Sequence, residues 1–391
     1  MRGAVAAGMA LIAATYGLAR FGYGLFLPQL SAAFTLSPAV AGLVQAGSFL
    51  SYCCAAALAA GIARRPRWGV AAAGASAAAG AAGIALAQSP LALAASVILA
   101  GAGAGFASPA LVALVQRASA AEHEERAQTT VNAGTGVGIV AAALLLVLAG
   151  EQWRAAWGAV ALLATAAAVA VLLADRRSVA APPAEREPRE GARLRPLVAP
   201  IIAALLAGAS SAAIWTFGST LLTDAAPLGP STPVLAWAIL GASGAAGAWA
   251  ARLVQAWSLR AAWATTSLTM VAATLALGLV PGLAPHAGAL AGAATLLGAA
   301  AFGAGYTALS GVLIVWATRL DPARAAQGTV VLFVALAVGQ SSGAAAIGAL
   351  LEPLTAAAAF AVAGALGVAA VLPVLRSAGA AGSTTPRPRR S

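Results

Sequence analysis

Apolar residues run through this chain in long blocks rather than in strict alternation with polar ones. The blocks lie at roughly 5–30, 39–62, 69–88, 91–115, 129–149, 155–174, 197–222, 233–256, 263–281, 288–316, 328–350 and 354–375. Each is about 20 residues or more, long enough to cross roughly 30 Å of hydrocarbon at 1.5 Å per residue. Within lipid a segment must satisfy its own backbone N–H and C=O groups, so every block predicts an α-helix. Short connectors, "QSP" at 88–90 and "LEP" at 351–353, make neighbouring helices antiparallel. The pattern predicts an all-α polytopic membrane protein with twelve transmembrane helices.

Composition agrees, and charge orients the spans. The chain is 61% hydrophobic and 8% charged, against roughly 25% charged residues in soluble domains. All 22 basic residues are arginine, and the formal charge is +11. With both termini cytoplasmic, 20 of these arginines fall on the inner side: Arg2, Arg64, Arg65, Arg67, Arg117, Arg126, six between 176 and 195, Arg252, Arg260, Arg319, Arg324, Arg376 and three in the tail. The outer side receives only Arg154. This is the positive-inside asymmetry of an inner (cytoplasmic) membrane protein, so the basic excess encodes topology rather than nucleic-acid binding. "MRGAVAAGMALIAATYG" has the look of a signal peptide but is read as an uncleaved first span. Cys53 and Cys54 are helix neighbours pointing about 100° apart, which makes them poor disulfide partners and small buried hydrophobes.

The domain plan follows from one polar interruption. "DRRSVAAPPAEREPREGARLRP", residues 175–196, is rich in proline and mixed charge and predicts a loose cytoplasmic linker. It separates a six-helix unit, 1–174, from a second, 197–376; residues 377–391 form a basic tail. The halves also echo each other. "GAGF" (103–106) recurs as "GAGY" (303–306), and "AQTTV" (127–131) as "AQGTV" (326–330), at offsets of 200 and 199. More weakly, "RFG" (20–22) matches "TFG" (216–218).

Twelve spans, a six-plus-six division, a basic central loop and parallel half-repeats resemble the major facilitator superfamily. The stretch "RFGYGLFLPQL", with "GSFLSYCCAAAL" in span two, is similar to its YbfB/YjiJ-like branch. The resemblance implies two pseudo-symmetric six-helix bundles around a central cavity lined by spans one, four, seven and ten. It departs at the family signature: "GIARRPRWG" (61–69) keeps the glycine and arginines but lacks the aspartate, and Gln255 stands where the second half often has one.

Arg20 is the one charge deep within a predicted span; Arg252, at the cytoplasmic end of span eight, can snorkel to the surface. A central arginine costs about 2.5–3.5 kcal/mol on insertion scales. Pro28, near the outer end, is about 12 Å further along the axis, too far for easy snorkelling. Arg20 is therefore expected to face protein or water, yet every one of the eleven acidic residues falls in a loop or at a span end. On a regular helix Tyr16, Arg20 and Tyr23 share its face. Three roles fit: contact with an anionic substrate through the bidentate guanidinium, structural bracing by carbonyls and hydroxyls, or an outer gate with Asp224. Trp215, Thr216 and Tyr306, which the resemblance places at the cavity, join the candidate substrate site, as do Gln340 and Gln45 as polar groups costly in lipid. Asn132 is expected only to pack. Trp68, Trp153, Trp237, Trp257, Trp263 and Trp316 fall near span ends and are expected to form interfacial belts.

No phosphate loop, triad or metal-ligand cluster is legible, so no cofactor, metal or catalytic residue is expected. "GTGVG" (134–138) lacks a preceding strand and reads as a close-packing face. His123 and His286 lie in loops without ligand company. The expected activity is secondary or facilitative transport of a small molecule by alternating access, by a monomer in the lipid bilayer. A small organic anion is favoured. Multidrug-type efflux of lipophilic compounds and, from another class, a non-transporting receptor or scaffold are the alternatives. With no embedded carboxylate to relay protons, uniport or exchange is expected, or a proton travelling on the substrate.

Overall fold

A computed structural model describes residues 2–62, 65–118, 121–176, 195–225, 229, 231–245 and 250–376. Most of the linker and all of the tail expected at 377–391 lie outside them. Among the described residues there is no strand. The first span is α1 (Arg2–Ile12), a π-helical segment (Ala13–Arg20) and α2 (Gly22–Phe34). There follow α3 (Pro38–Gly61), α4 (Pro66–Leu86), α5 (Pro90–Ala118), α6 (Ala121–Asn132), α7 (Gly134–Ala149) and α8 (Trp153–Arg176). The second half holds α9 (Val198–Asp224), α10 (Thr232–Ser243), α11 (Ala250–Trp257), α12 (Leu259–Leu320), α13 (Ala325–Leu350), α14 (Ala356–Ala369) and α15 (Leu372–Arg376).

Eleven described helical segments are long and apolar enough to cross a membrane, and α10, in the position of span eight, is a shorter apolar helix. The expected span eight, 233–256, is not one regular helix. It leaves α-geometry after Ser243, within the glycine-rich "GASGAAG", and α11 starts at Ala250. Glycine's conformational freedom makes such a stretch a weak helix. Spans nine and ten, expected to be parted by the "PGLAPHAG" turn, run on as α12 with non-helical geometry only at Ala287 and Gly288. His286 therefore sits beside a kink rather than in an open loop.

The half-repeat appears in packing, displaced by two residues. Gly101 lies against Ser48 and Ser51 of α3, and Gly303 against Leu240 and Ser243 of α10; Gly103 faces Ala73 and Ala77 of α4, and Gly305 faces Thr266 and Met270 of α12. The structural equivalence is thus Gly101 with Gly303 and Gly103 with Gly305, an offset of 202 rather than 200. Small residues at these faces let helices approach where lipid gives no hydrophobic incentive.

The tryptophans divide. Trp68 and Trp257 are exposed and fit a belt, but Trp153, Trp237, Trp263 and Trp316 are buried. Trp263 donates to the Ala370 carbonyl at 3.0 Å and meets Trp316 edge-on; Trp153 packs on Phe34. Neighbouring helices cover these span ends, so nearness to an end did not mean contact with lipid. Cys53 is buried, whereas Cys54 is exposed. Asn132 is exposed and accepts from Gln128 at 3.4 Å.

The two halves meet away from their arginine-rich ends. Ser219 of α9 donates to the Leu25 carbonyl of α2, and Ser341 of α13 to the Ala46 carbonyl of α3, both at 2.9 Å. Residues 21–27 and 207–219 are buried without a break. Towards the arginine-rich end the same two central spans open: Gly3, Ala6 and Ala10 are exposed on α1, and Val198 and Ile202 on α9. The first half packs α5, α6, α7 and α8 around α1, and the second packs α10, α12, α13, α14 and α15 around α9. These exposed positions of the two central spans lie at the arginine-rich end.

Candidate functional site

The π segment aims the site. Its i→i+5 pattern ends with the Phe21 N–H donating to the Tyr16 carbonyl at 2.9 Å. A π turn holds more residues than an α turn, so everything beyond it is rotated relative to a regular helix, and such turns recur at functional sites. Tyr16 and Arg20 remain on one side. Tyr23 does not: its hydroxyl donates to the Ala41 carbonyl of α3 at 3.2 Å, on the sealed side. The expected three-residue face was drawn with a regular helical period, which the π segment breaks. Gly17 is required here by close approach, since an added Cβ would collide with the backbone of Gly138 on α7.

Arg20 is 4% exposed and sits in an aromatic enclosure. Its guanidinium carbon lies 4.2 Å from the ring centre of Tyr52, 5.0 Å from Phe49, 5.2 Å from Phe21 and 5.6 Å from Tyr16. Ring faces carry negative charge density, and each such contact contributes about 0.5–2 kcal/mol. Nη2 donates to Oε1 of Gln340 at 3.0 Å, a hydrogen bond from the first half to the second. Gln340 Nε2 in turn donates to the Tyr306 hydroxyl at 3.1 Å. Tyr16 shares a 2.7 Å hydrogen bond with Ser108 and donates to Tyr52 at 3.4 Å. Among the described residues no carboxylate pairs with Arg20, and its Nε has no partner.

The aromatic wall continues into the second half. Trp215 stacks on Phe21 with ring centres 4.1 Å apart and meets Tyr306 and Phe302 edge-on at 5.2 and 5.6 Å. Tyr16 and Tyr306 are the half-buried members of the cluster; Ser108, Phe106, Thr307 and Ser310 beside them are also only partly covered.

Five of the eight proposed substrate residues, Arg20, Tyr16, Tyr306, Gln340 and Trp215, come together here. Thr216 and Gln45 are fully buried, and the Thr216 hydroxyl and both amide atoms of Gln45 lack partners. Gln45 lies on the α3 face that also carries Phe49 and Tyr52, at helical spacing. Asp224 is not brought to Arg20. It is exposed at the end of α9, while the guanidinium is committed to Gln340 although the halves are already closed on that side. Phe21, Phe49, Tyr52 and Ser108 are site residues that sequence reasoning missed. The aromatics looked like ordinary apolar filler; only the spacing of Gln45, Phe49 and Tyr52 on one face could have signalled them.

At the arginine-rich end, Asp175 joins three segments of the first half. It accepts from Arg67 at 3.0 Å and Arg117 at 3.5 Å. This carboxylate comes from the end of α8, not from the loop after α3 where the family signature carries one.

The description Major Facilitator Superfamily matches residues 9–327. The chain belongs to the major facilitator superfamily. Solved members share the architecture over nearly its whole length. A POT family transporter in complex with 5-aminolevulinic acid superposes with a TM-score of 0.76 at 13% identity, covering 98% of this chain and 97% of that one. The nucleoside transporter NupG gives 0.71 at 13%, covering 96% and 98%. A bacterial homolog of the human lysosomal transporter Spinster, in an inward-facing and unoccupied conformation, gives 0.69 at 17%, covering 96% and 95%. No curated protein matches the chain in sequence. As a major facilitator the chain is a membrane transporter of a small molecule and not an enzyme.

Proposed function

We propose that this transporter carries a small organic anion by alternating access, with Arg20 as the anion's anchor. One observation carries the reading: the Arg20 guanidinium is buried with neutral partners only, and we take the exposed stripes of α1 and α9 as the vestibule that leads to it. Aromatic faces and one amide oxygen offset part of its desolvation. A carboxylate or phosphate entering past Tyr16 and Tyr306 would supply the full counter-charge and could displace Gln340 by the stronger charge-assisted, bidentate geometry. Displacement would release the cross-half hydrogen bond, which links substrate binding to the rocking of the halves. The site has no carboxylate to relay protons, which supports uniport or exchange, or a proton carried on the substrate. The arginine asymmetry supports a place in the cytoplasmic membrane with the arginine-rich end, and so the vestibule, facing inward.

A second reading, efflux of lipophilic compounds, is favoured by the wall of Trp215, Phe302, Tyr306 and Phe21 and by Val198 and Ile202 along the vestibule. The two separate in a thermal-shift screen of purified protein against organic anions and lipophilic drugs, repeated with Arg20→Gln. An anionic substrate raises the melting temperature of the parent and not of the variant. Stabilisation by anions that survives in Arg20→Gln removes Arg20 from the site, and stabilisation by drugs alone selects the second reading.

A further inference from the structure

The arginine-rich end of the second half holds a crevice of about 370 Å³, well apart from the central cluster. It is lined by Ser258, Leu259, Arg260, Trp316, Arg319 and Val374, from the two ends of α12 and from α15. Its aromatic support is rigid: Trp316 lies edge-on to Trp263, ring centres 5.6 Å apart, and Trp263 is held by its hydrogen bond to Ala370. Ser258 takes a positive φ of 103° and caps α12, its hydroxyl accepting from the Ala261 N–H at 3.3 Å. That costly backbone geometry starts α12 at the crevice, with Arg260 on the first turn. Arg260 and Arg319 are both exposed. Among the described residues neither has a hydrogen-bond or ion-pair partner, and the nearby carboxylate of Asp321 is taken by Arg324 at 3.3 Å.

We propose that this crevice binds the phosphate of an anionic glycerophospholipid. Two unpaired guanidiniums suit a phosphate oxyanion, and basic groups at the bilayer surface attract anionic headgroups. A lipid rather than a soluble phosphate is favoured by what borders the crevice. Leu372, two residues before the crevice residue Val374, is 47% exposed, Val368 one turn before Leu372 is exposed as well, and Trp257 is exposed just before the crevice, at the level where interfacial aromatics lie. The headgroup sits between Arg260 and Arg319, and the acyl chains follow the strip formed by Leu372 and Val368.

The test is native mass spectrometry of the full-length protein in detergent with phosphatidylglycerol or phosphatidylcholine, with inorganic phosphate as competitor. Phosphatidylglycerol is retained in preference, and Arg260→Gln and Arg319→Gln each weaken its retention roughly fivefold. Arg126→Gln, which removes the same charge from α6, leaves retention unchanged. Bromine-labelled phosphatidylglycerol quenches tryptophan emission, and part of that quenching is lost in Trp316→Phe. Unchanged retention in the Arg260/Arg319 double variant overturns the proposal, as does an equal loss in Arg126→Gln. Displacement of the lipid by millimolar inorganic phosphate makes the crevice a soluble-anion site and overturns the lipid assignment. None of these readouts involves transport, so the result stands apart from the central anion reading.

Discussion

Arg20 and Gln340 join the two halves of the transporter, guanidinium Nη2 to amide Oε1 at 3.0 Å. The pair lies 320 positions apart in sequence. On the function proposed above, it is the point where a substrate's charge and the closure of the outer half compete for one donor.

Gln340→Glu should supply the counter-charge that Arg20 lacks. A carboxylate at this distance forms a charge-assisted pair in a dry site, where removing either member afterwards is costly. The expected outcome is a higher melting temperature together with loss of anion-induced stabilisation and of anion uptake by proteoliposomes. Retained uptake would show that the substrate does not compete for the guanidinium.

Gln340→Ala acts oppositely. It removes an acceptor from a charged donor, an interaction of about 1.5–3 kcal/mol, and strips Tyr306 of its amide donor. The expected outcome is a lower melting temperature and faster labelling, from the side without arginines, of a cysteine introduced at Thr220.

Gly24→Val tests the outer seal. A Cβ at Gly24 would fall on the Trp215 carbonyl of α9, so the two central spans cannot close as they do here. The variant is expected to fold, because the collision is between halves and not within one. It should show increased labelling at position 220 and little transport. Wild-type uptake would mean that this approach of α2 to α9 is dispensable.

Tyr16→Phe removes the hydroxyl that bridges Ser108 and Tyr52 while keeping the ring beside Arg20. One lost neutral hydrogen bond is about 1 kcal/mol, so substrate affinity in the thermal-shift assay should fall roughly fivefold. A hundredfold loss would assign the phenol a direct role in holding the substrate.

Asp175→Asn should do little. Its partners Arg67 and Arg117 have side chains 39% and 40% exposed, and ion pairs that open to solvent contribute under about 1 kcal/mol. A shift of a degree or two in melting temperature, shrinking further in high salt, is expected. A large loss of transport at unchanged stability would instead make Asp175 a moving latch.

The bilayer made the fold legible. Long uncharged blocks, short connectors and one polar interruption are forced by the cost of exposing backbone and charge to hydrocarbon, and eleven of the expected helices stand close to where those blocks placed them. Arg20 was legible for the same reason, since no other charge lies deep inside an apolar block. Its surroundings were not. Phe49 and Tyr52 read as filler because an aromatic ring in a span looks the same whether it faces lipid or a guanidinium. Tyr23 was misassigned to the cluster's face because no residue type marks a π turn. The break after Ser243 was missed because a glycine-rich stretch in this chain signals close helix packing as often as it signals a bend.

The π-helical stretch in the first span has a further consequence. Since it holds more residues per turn than an α-helix, excising Ala13 or Ala14 would relax it towards a plain spiral and swing the remainder of the span around its axis. The phenol now anchored to Ala41 would then come to lie beneath the first tyrosine. The guanidinium's aim depends on that surplus length of chain as much as on the residue that bears it.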